Sequence, residues 1–373
     1  MSKETGGADR LGELRGRLDG IDAEIIDLIA ERQAVVSEIG ELKFATNAPL
    51  RHYEREREII ERGMRLAEER GVSGGLAREV LQALIRHSLG KQEIDKWAQS
   101  AHGQGRRALV IGGLGRMGRW MAYFLDAVGY RVAISDPAEG DTPFEREPDW
   151  EAVARDFDLL VVAVPLRPSN AILLRLADLR PRGLVFDIGS LKSPMLEGLR
   201  ALRQAGCRVC SVHPMFGPGE VGLSGRHILF VDVGDRDAVT EARALFAHTA
   251  AECVDLSLEE HDEVMAWVLG LSHIVNIAFA GTLASSGAAV PLLRRISSST
   301  FNSQLAVAAQ VVSENPHLYF EIQHGNTKTP EVIANFQAIL GRLARAVAEG
   351  READFTHFMT LAHRHLKNGE QTS

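Results

Sequence analysis

Residues 105–118 read GRRALVIGGLGRMG: a basic pair, a short apolar run, then Gly113, Gly115 and Gly118 at the spacing G-x-G-x-x-G. An apolar strand that breaks into glycines and reopens as a helix is how a dinucleotide-binding unit begins. The first glycine permits a tight turn, the second lets the backbone approach a pyrophosphate, and the third allows close helix packing. The helix expected to open at Arg116 and Met117 directs its unpaired amides and positive dipole end at the phosphates. A second strand, YRVAISD, ends in Asp136. A carboxylate there accepts from a ribose hydroxyl and repels the extra phosphate of NADP, so the motif predicts NAD; Asp136 also suits the turn before Pro137.

Toward the C-terminus, LLVVAVP, GLVFDIG, CRVCSV and HILFVDV read as further strands alternating with helical stretches such as 116–128 and 194–205. That alternation predicts a mostly parallel, doubly wound sheet of Rossmann type. From Leu258 to Lys367 the pattern is helical, and the apolar stretch Val264 to Leu283 suits a buried or intersubunit helix.

Toward the N-terminus, Leu11, Leu14, Leu18, Ile21, Ile25, Leu28, Ile29, Val35, Val36, Ile39 and Leu42 recur at spacings of three and four, predicting one helix over 11–44. At ~1.5 Å per residue it extends for ~50 Å, so its apolar stripe must meet other helices, of its own or another subunit. A second helix is expected over 53–70 and a third over 76–97, with a polar, glycine-rich linker, QSAHGQG, at 99–105. The expected architecture is multidomain. A tail at 1–9, expected to be disordered, precedes an all-α domain of three helices at 10–97 and a linker at 98–105. An α/β Rossmann-type domain at 106–257, an all-α C-terminal domain at 258–367 and a tail at 368–373 follow.

The 373 residues carry a net charge of −8, which gives no nucleic-acid footprint and points to small-molecule partners. No apolar run is read as reaching the ~20 residues a membrane span needs, and MSKETGGADR lacks the apolar core of a signal peptide, so a cytoplasmic location is expected. Cys207 and Cys210 lie in a predicted strand, where positions three apart face opposite ways. No metal or redox role is assigned to them.

On the first helix, Arg32 and Lys43 are eleven residues apart, which brings them to nearly the same face about 16 Å apart. Arg15 lies another ~25 Å from Arg32. If all three hold one small ligand, Arg15 must come from another subunit.

Over positions 10–95, the segments LGELRGRLDGIDAEIIDLIAERQAVVSEIGELK, PLRHYEREREI and HSLGKQ resemble the all-helical chorismate mutases. The resemblance implies that Arg15, Arg32, Lys43, Arg55, Glu56, Ser88 and Gln92 form an active site. Arginines would hold the two carboxylates of chorismate, Lys43 and Gln92 would bond the ether oxygen, and Glu56 with position 52 would lie near the ring hydroxyl. His52 departs from the aspartate some members carry, leaving that hydroxyl contact open.

Residues 106 to about 365 resemble the prephenate dehydrogenases through VIGGLGRMGR, VVAVP, FDIGSLKSP, HPMFGP, EEHD and LSH. The order of the two halves resembles bifunctional mutase–dehydrogenases of tyrosine biosynthesis. That implies rearrangement of chorismate to prephenate, then oxidative decarboxylation to 4-hydroxyphenylpyruvate with NAD, in a homodimer. It also implies that His213 is the catalytic histidine, that Ser190 helps hold it, and that His273 lies near the substrate side chain. His261 fits a structural helix position equally well. In SSSTFNSQLA the family's carboxylate-binding arginine is replaced by Asn302, which cannot form a charged fork. Either Arg294, Arg295 or Lys328 substitutes, or the substrate is a 4-amino-4-deoxy analogue or arogenate. A further alternative makes one half a noncatalytic sensing or dimerisation module.

Overall fold

The computed structural model describes residues 4–46, 53–100, 103–220 and 222–369. Two compact units result. The first comprises Met1–Val164, Arg175–Ile188 and Leu202–Asp255. It opens with α1 (Glu4–Ala45), α2 (Tyr53–Glu69) and α3 (Gly74–Ser100). α1 starts earlier than the apolar pattern indicates: 4–9, expected to be a tail, are helical, and Gly6 and Gly7 masked the start because glycine is a poor helix former.

α3 continues into the stretch expected to be a linker, and residues 103–105 beyond it are packed rather than loose. Gly103 N donates to Val128 O at 2.7 Å and Gly105 N to Gly129 O at 3.0 Å. A Cβ at Gly103 would lie 2.4 Å from Gly129 C, so this glycine serves close approach, not flexibility.

The sheet comes next in the chain, with elements in the order β1 (Arg107–Ile111), α4 (Arg116–Ala127), β2 (Arg131–Ser135), β3 (Glu145–Arg146), α5 (Trp150–Val153), β4 (Leu159–Val162), α6 (Leu166–Leu179), β5 (Leu184–Asp187), α7 (Leu196–Gln204), β6 (Val209–Pro214), β7 (His227–Asp232), α8 (Arg236–Leu245) and β8 (Glu252–Ser257). The strand order is β3-β2-β1-β4-β5-β6-β7-β8. Pairings from β3 through β6 are parallel, with Val110 opposite both Ile134 and Val161, and β6–β7 is antiparallel. The central strands are buried on both faces, which is why they read as unbroken apolar runs. Phe124 of α4 stacks on Phe246 at 4.7 Å beneath the sheet.

The second unit comprises Pro165–Leu174, Gly189–Ala201 and Leu256–Ser373. Its helices are α9 (Leu258–Met265), α10 (Ser272–Ser285), α11 (Val290–Arg295), α12 (Ser299–Ser313), α13 (Pro316–Gly325), α14 (Thr329–Ala348) and α15 (Glu352–Gly369). Ser257 and Glu260 form a reciprocal capping box at the start of α9. The apolar stretch expected to be one helix is interrupted by a π-helical turn, Ala266–Leu271. By length and composition, Leu258–Ser285 is apolar enough to cross a membrane, which corrects the expectation that no such run exists. Within Leu258–Ser285, His261, Asp262, His273 and Asn276 are buried polar residues, which a lipid environment disfavours.

Candidate active sites

In the helical N-terminal segment, Arg32 of α1 reaches α3: its Nη1 donates to Ser88 Oγ at 2.6 Å and to Leu84 O at 3.4 Å. Ser88 Oγ donates to Leu84 O at 2.7 Å, so the hydroxyl is oriented to accept from the guanidinium. Burial lowers the pKa of Arg32, which nevertheless stays cationic. Lys43 is half-buried; burial pushes its ammonium pKa down and the charge of Glu56 opposes that shift. Two cations predicted to share a face thus sit with two further predicted residues, Ser88 and Glu56.

Arg55 instead pairs with Glu58 at 2.9 Å on the exposed surface of α2. Arg15 is exposed on α1, 17 positions from Arg32 on one continuous helix. His52 and the side chain of Gln92 lie outside the described residues.

The glycine loop joins β1 to α4. The positive φ of the turn, +88°, belongs to Gly112 rather than to Gly113, and a Cβ at Gly112 would lie 2.5 Å from Ala163 O. The turn-forming role expected of Gly113 therefore falls one residue earlier, and the doublet Gly112–Gly113 was its signal. Gly113 is needed because a Cβ would meet the Ile134 side chain at 2.5 Å. A Cβ at Gly118 would lie 2.0 Å from Gly112 O, so the third glycine does permit close helix packing. Gly115 is the N-cap of α4 and makes no side-chain cap, so the helix presents the positive end of its dipole at the loop, where an anion is favoured. Asp136 makes the turn expected of it, Oδ1 accepting from Ala138 N at 2.9 Å, while Oδ2 accepts from Leu114 N at 2.9 Å in the glycine loop. This cradle fits a dinucleotide.

His213 lies near the C-terminal end of β6, opposite Leu229 of β7, and is buried. In parallel sheets ligands bind outside the carboxyl ends of the strands. Two residues earlier, Ser211 Oγ donates to the buried Asp187 carboxylate at the end of β5, tying the two strand ends together. The segment after His213 is held by Trp120 of α4, whose Nε1 donates to Glu220 O at 3.0 Å and whose ring meets Phe216 edge-on at 4.9 Å.

Ser190 belongs to the second unit, in the bend after Gly189. The loop it occupies is anchored by Asp262, which accepts from Lys192 N at 2.8 Å, Ser193 N at 2.6 Å and His261 Nδ1 at 2.7 Å. Burial alone raises the Asp262 pKa, but these donors outweigh it and hold the carboxyl at about 2. His261 is thereby a buried structural partner. Asn326 Nδ2 donates to Asp262 O at 2.7 Å, and Lys192, fully buried, donates from Nζ to Gly189 O at 2.6 Å. The motifs FDIGSLKSP and EEHD are both visible in the sequence, but their junction at Lys192 and Asp262 is not.

His273 is buried and stacks on Tyr319 with ring centroids 4.1 Å apart, and burial lowers its pKa. Asn302 is exposed near the start of α12, its Oδ1 2.7 Å from Ser297 Oγ, which also lies 3.0 Å from Arg294 O. Arg294, Arg295 and Lys328 are exposed. The late histidines His357, His363 and His365 are exposed on α15.

Three family models match the chain: chorismate mutase type II over 14–93, the prephenate dehydrogenase nucleotide-binding domain over 135–232, and the prephenate dehydrogenase dimerization domain over 257–361. The chain is 26% identical over 345 residues to a T-protein of Enterobacter agglomerans, covering 92% of this chain and 90% of that protein. It is 30% identical over 263 residues to a 4-amino-4-deoxyprephenate dehydrogenase of Streptomyces pristinaespiralis, covering 67% of this chain and 87% of that one. Its fold resembles that of a prephenate dehydrogenase from A. aeolicus solved with hydroxyphenyl propionate and NAD+, with a TM-score of 0.56 at 20% identity over 71% of this chain and 98% of that one.

Proposed function

Because the chain belongs to the chorismate mutase–prephenate dehydrogenase family, we propose that it performs both reactions of that pair: chorismate to prephenate, then prephenate to 4-hydroxyphenylpyruvate with NAD, in tyrosine biosynthesis. The observation that carries the reading is the pairing, in one chain, of the Arg32–Ser88 and Lys43–Glu56 groupings with a glycine-cradled loop and a buried strand-end histidine.

Chorismate rearranges in one pericyclic step, so the mutase half supplies conformer selection and charge stabilisation rather than a nucleophile. Arg32, held by Ser88, and Arg15 bind carboxylates. Lys43, with Gln92 by resemblance, stabilises charge on the breaking ether, while Glu56 lies on the side of the ring hydroxyl. Arg55 must leave Glu58 to join the set, a weak exposed pairing to break.

In the dehydrogenase half, Gly113, Gly115, Arg116, Met117 and Gly118 hold the pyrophosphate and Asp136 the ribose. NAD when bound supplies the hydride acceptor. By resemblance, His213 would take the proton of the ring hydroxyl as hydride leaves the hydroxyl-bearing carbon, with Ser190 assigned to help hold it and His273 assigned to the substrate side chain. Aromatisation of the ring accompanies release of carbon dioxide.

We assign 10–97 to the mutase, 106–257 to cofactor binding and 258–367 to the C-terminal helical domain. The enzyme is a homodimer and works in the cytoplasm, a compartment in which Cys207, Cys210 and Cys253 stay reduced.

A second reading is favoured by one observation: Asn302, in the arginine position, is a neutral amide bound to Ser297. It makes the substrates 4-amino-4-deoxychorismate and 4-amino-4-deoxyprephenate. Purified protein supplied with chorismate or its 4-amino analogue, with substrate loss and NADH formation followed separately, decides between them. A higher kcat/KM for prephenate than for its amino analogue disposes of the second reading. Asn302→Arg should then lower KM for prephenate by supplying the missing fork.

A further inference from the structure

Leu114, the residue between Gly113 and Gly115, is held by opposite charges at its two polar ends. Its N–H donates to Asp136 Oδ2 at 2.9 Å, and its carbonyl accepts from Arg119 Nε at 3.1 Å. A carboxylate and a guanidinium therefore flank one residue of the glycine loop. A second cation, Arg146 of β3, gathers the turn that follows Asp136. Its Nη2 donates to Ala138 O at 2.7 Å and to Asp136 O at 3.2 Å, and its Nη1 donates to Gly140 O at 3.4 Å. A Cβ built on Gly140 would lie 3.3 Å from both Arg119 Nη2 and Leu114 Cδ1, so a glycine there lets the guanidinium rest against the turn.

The two arginines differ in the donors they keep for a ligand. Arg146 directs its terminal nitrogens at three carbonyls and so shapes the turn. Arg119 is half-buried, and among the described residues its side chain makes one hydrogen bond, through Nε, which leaves the N–H groups of Nη1 and Nη2 for a ligand. A planar fork of that kind matches a phosphate. In a dinucleotide-binding unit, an acidic residue after the second strand meets the 2′-hydroxyl of the adenosine ribose, and a nearby arginine accommodates a 2′-phosphate. Both are present here, one on each side of Leu114, and they act on that phosphate with opposite sign. Glu139 and Asp141 of the same turn are also acidic, but they are exposed and screened by solvent and salt.

We propose that Arg119 is a specificity-determining residue of the cofactor site, the cation that receives the 2′-phosphate of NADP, so that the charge of Asp136 is what keeps the site for NAD and removing that charge turns the preference toward NADP. The proposal rests on the reading of the glycine loop as a dinucleotide cradle.

The test uses the full-length enzyme as wild type, Asp136→Asn, Arg119→Gln, Arg119→Lys and the double variant Asp136→Asn with Arg119→Gln. Calorimetric affinities for NAD and NADP, and for AMP and adenosine 2′,5′-bisphosphate, provide a readout independent of turnover. The last two ligands differ by the 2′-phosphate alone. Mutase activity in the same preparations reports folding. Asp136→Asn should raise the NADP-to-NAD affinity ratio by roughly 10-fold or more, the scale of one charge-assisted hydrogen bond. The double variant should lose that gain. Arg119→Gln alone should lower the ratio, and Arg119→Lys, which keeps the charge without the fork, should lower it less. The bisphosphate-to-AMP ratio should move in the same directions, a pattern that a merely structural role for Arg119 does not produce. A folded Asp136→Asn variant with the wild-type ratio, or a gain that survives Arg119→Gln, overturns the proposal. If wild type binds neither NAD nor NADP, the dinucleotide reading itself falls and takes the proposal with it.

Discussion

His213 and Asp262 are both buried polar groups, yet their surroundings give them opposite duties. Asp262 collects three donors and sits at about 2, below its ordinary value of 3.8, so it is ionised throughout the working range. The shift stabilises the folded state by roughly 2 kcal/mol where the carboxyl is ionised in both states. That contribution is complete above the unfolded value near 3.8 and fades as pH falls through about 2. Asp262→Asn should therefore lower the denaturant midpoint of the dehydrogenase transition at pH 7, and the gap to wild type should narrow below about pH 4. A gap that is constant down to pH 2 would show that shape, not charge, holds the 189–194 loop. His213 is instead the residue proposed as proton acceptor. His213→Asn should leave chorismate consumption intact and cut NADH formation by roughly 100-fold or more. Loss of both activities in a folded variant would point to one shared site.

At the scale of elements, Asp136 makes the turn after β2 and the glycine loop interdependent, because its carboxylate accepts from both. Asp136→Ala should thus weaken both nicotinamide cofactors while narrowing the preference for NAD, by roughly tenfold if one charge-assisted bond is lost. Comparable wild-type kcat/KM values for NAD and NADP would remove the ribose role. Six strands were legible because strands buried on both faces are continuous apolar runs. β3 has only two residues, and β8, Glu252–Ser257, has no buried residue to write such a run. The seven residues expected to be a linker had the right composition for the wrong reason, since Gly103 and Gly105 serve close approach and a positive φ. Arg32, Lys43, Ser88 and Glu56 were recoverable from helical spacing and motif. Asp262 and Lys192 were not, because their burial arises only when distant segments meet.

At the scale of the whole molecule, α1 carries the features that bear on the proposed dimer. Leu11, Leu14, Leu18, Ile21, Ile25 and Leu28 are exposed in the single chain, a row of apolar side chains that one copy leaves in water. Arg15 lies on that same uncovered stretch, about 25 Å along the axis from Arg32, farther than one small ligand spans. A second copy running alongside would cover the apolar row and bring its Arg15 to the Arg32–Ser88 and Lys43–Glu56 cluster. Each mutase site would then draw Arg15 from one subunit and Arg32 with Lys43 from the other. Arg15→Ala and Lys43→Ala homodimers should both be inactive as mutases. When the two are mixed and allowed to exchange, each heterodimer holds one doubly damaged site and one intact site. With equal subunits and random pairing, half of the dimers are mixed, so mutase activity should return to roughly a quarter of the wild-type level per subunit. Dehydrogenase activity, which uses neither residue, should stay constant through the exchange. Demonstrated exchange without any return of mutase activity would mean that each site is built within one chain, and that the exposed row of α1 is covered by something other than a partner mutase.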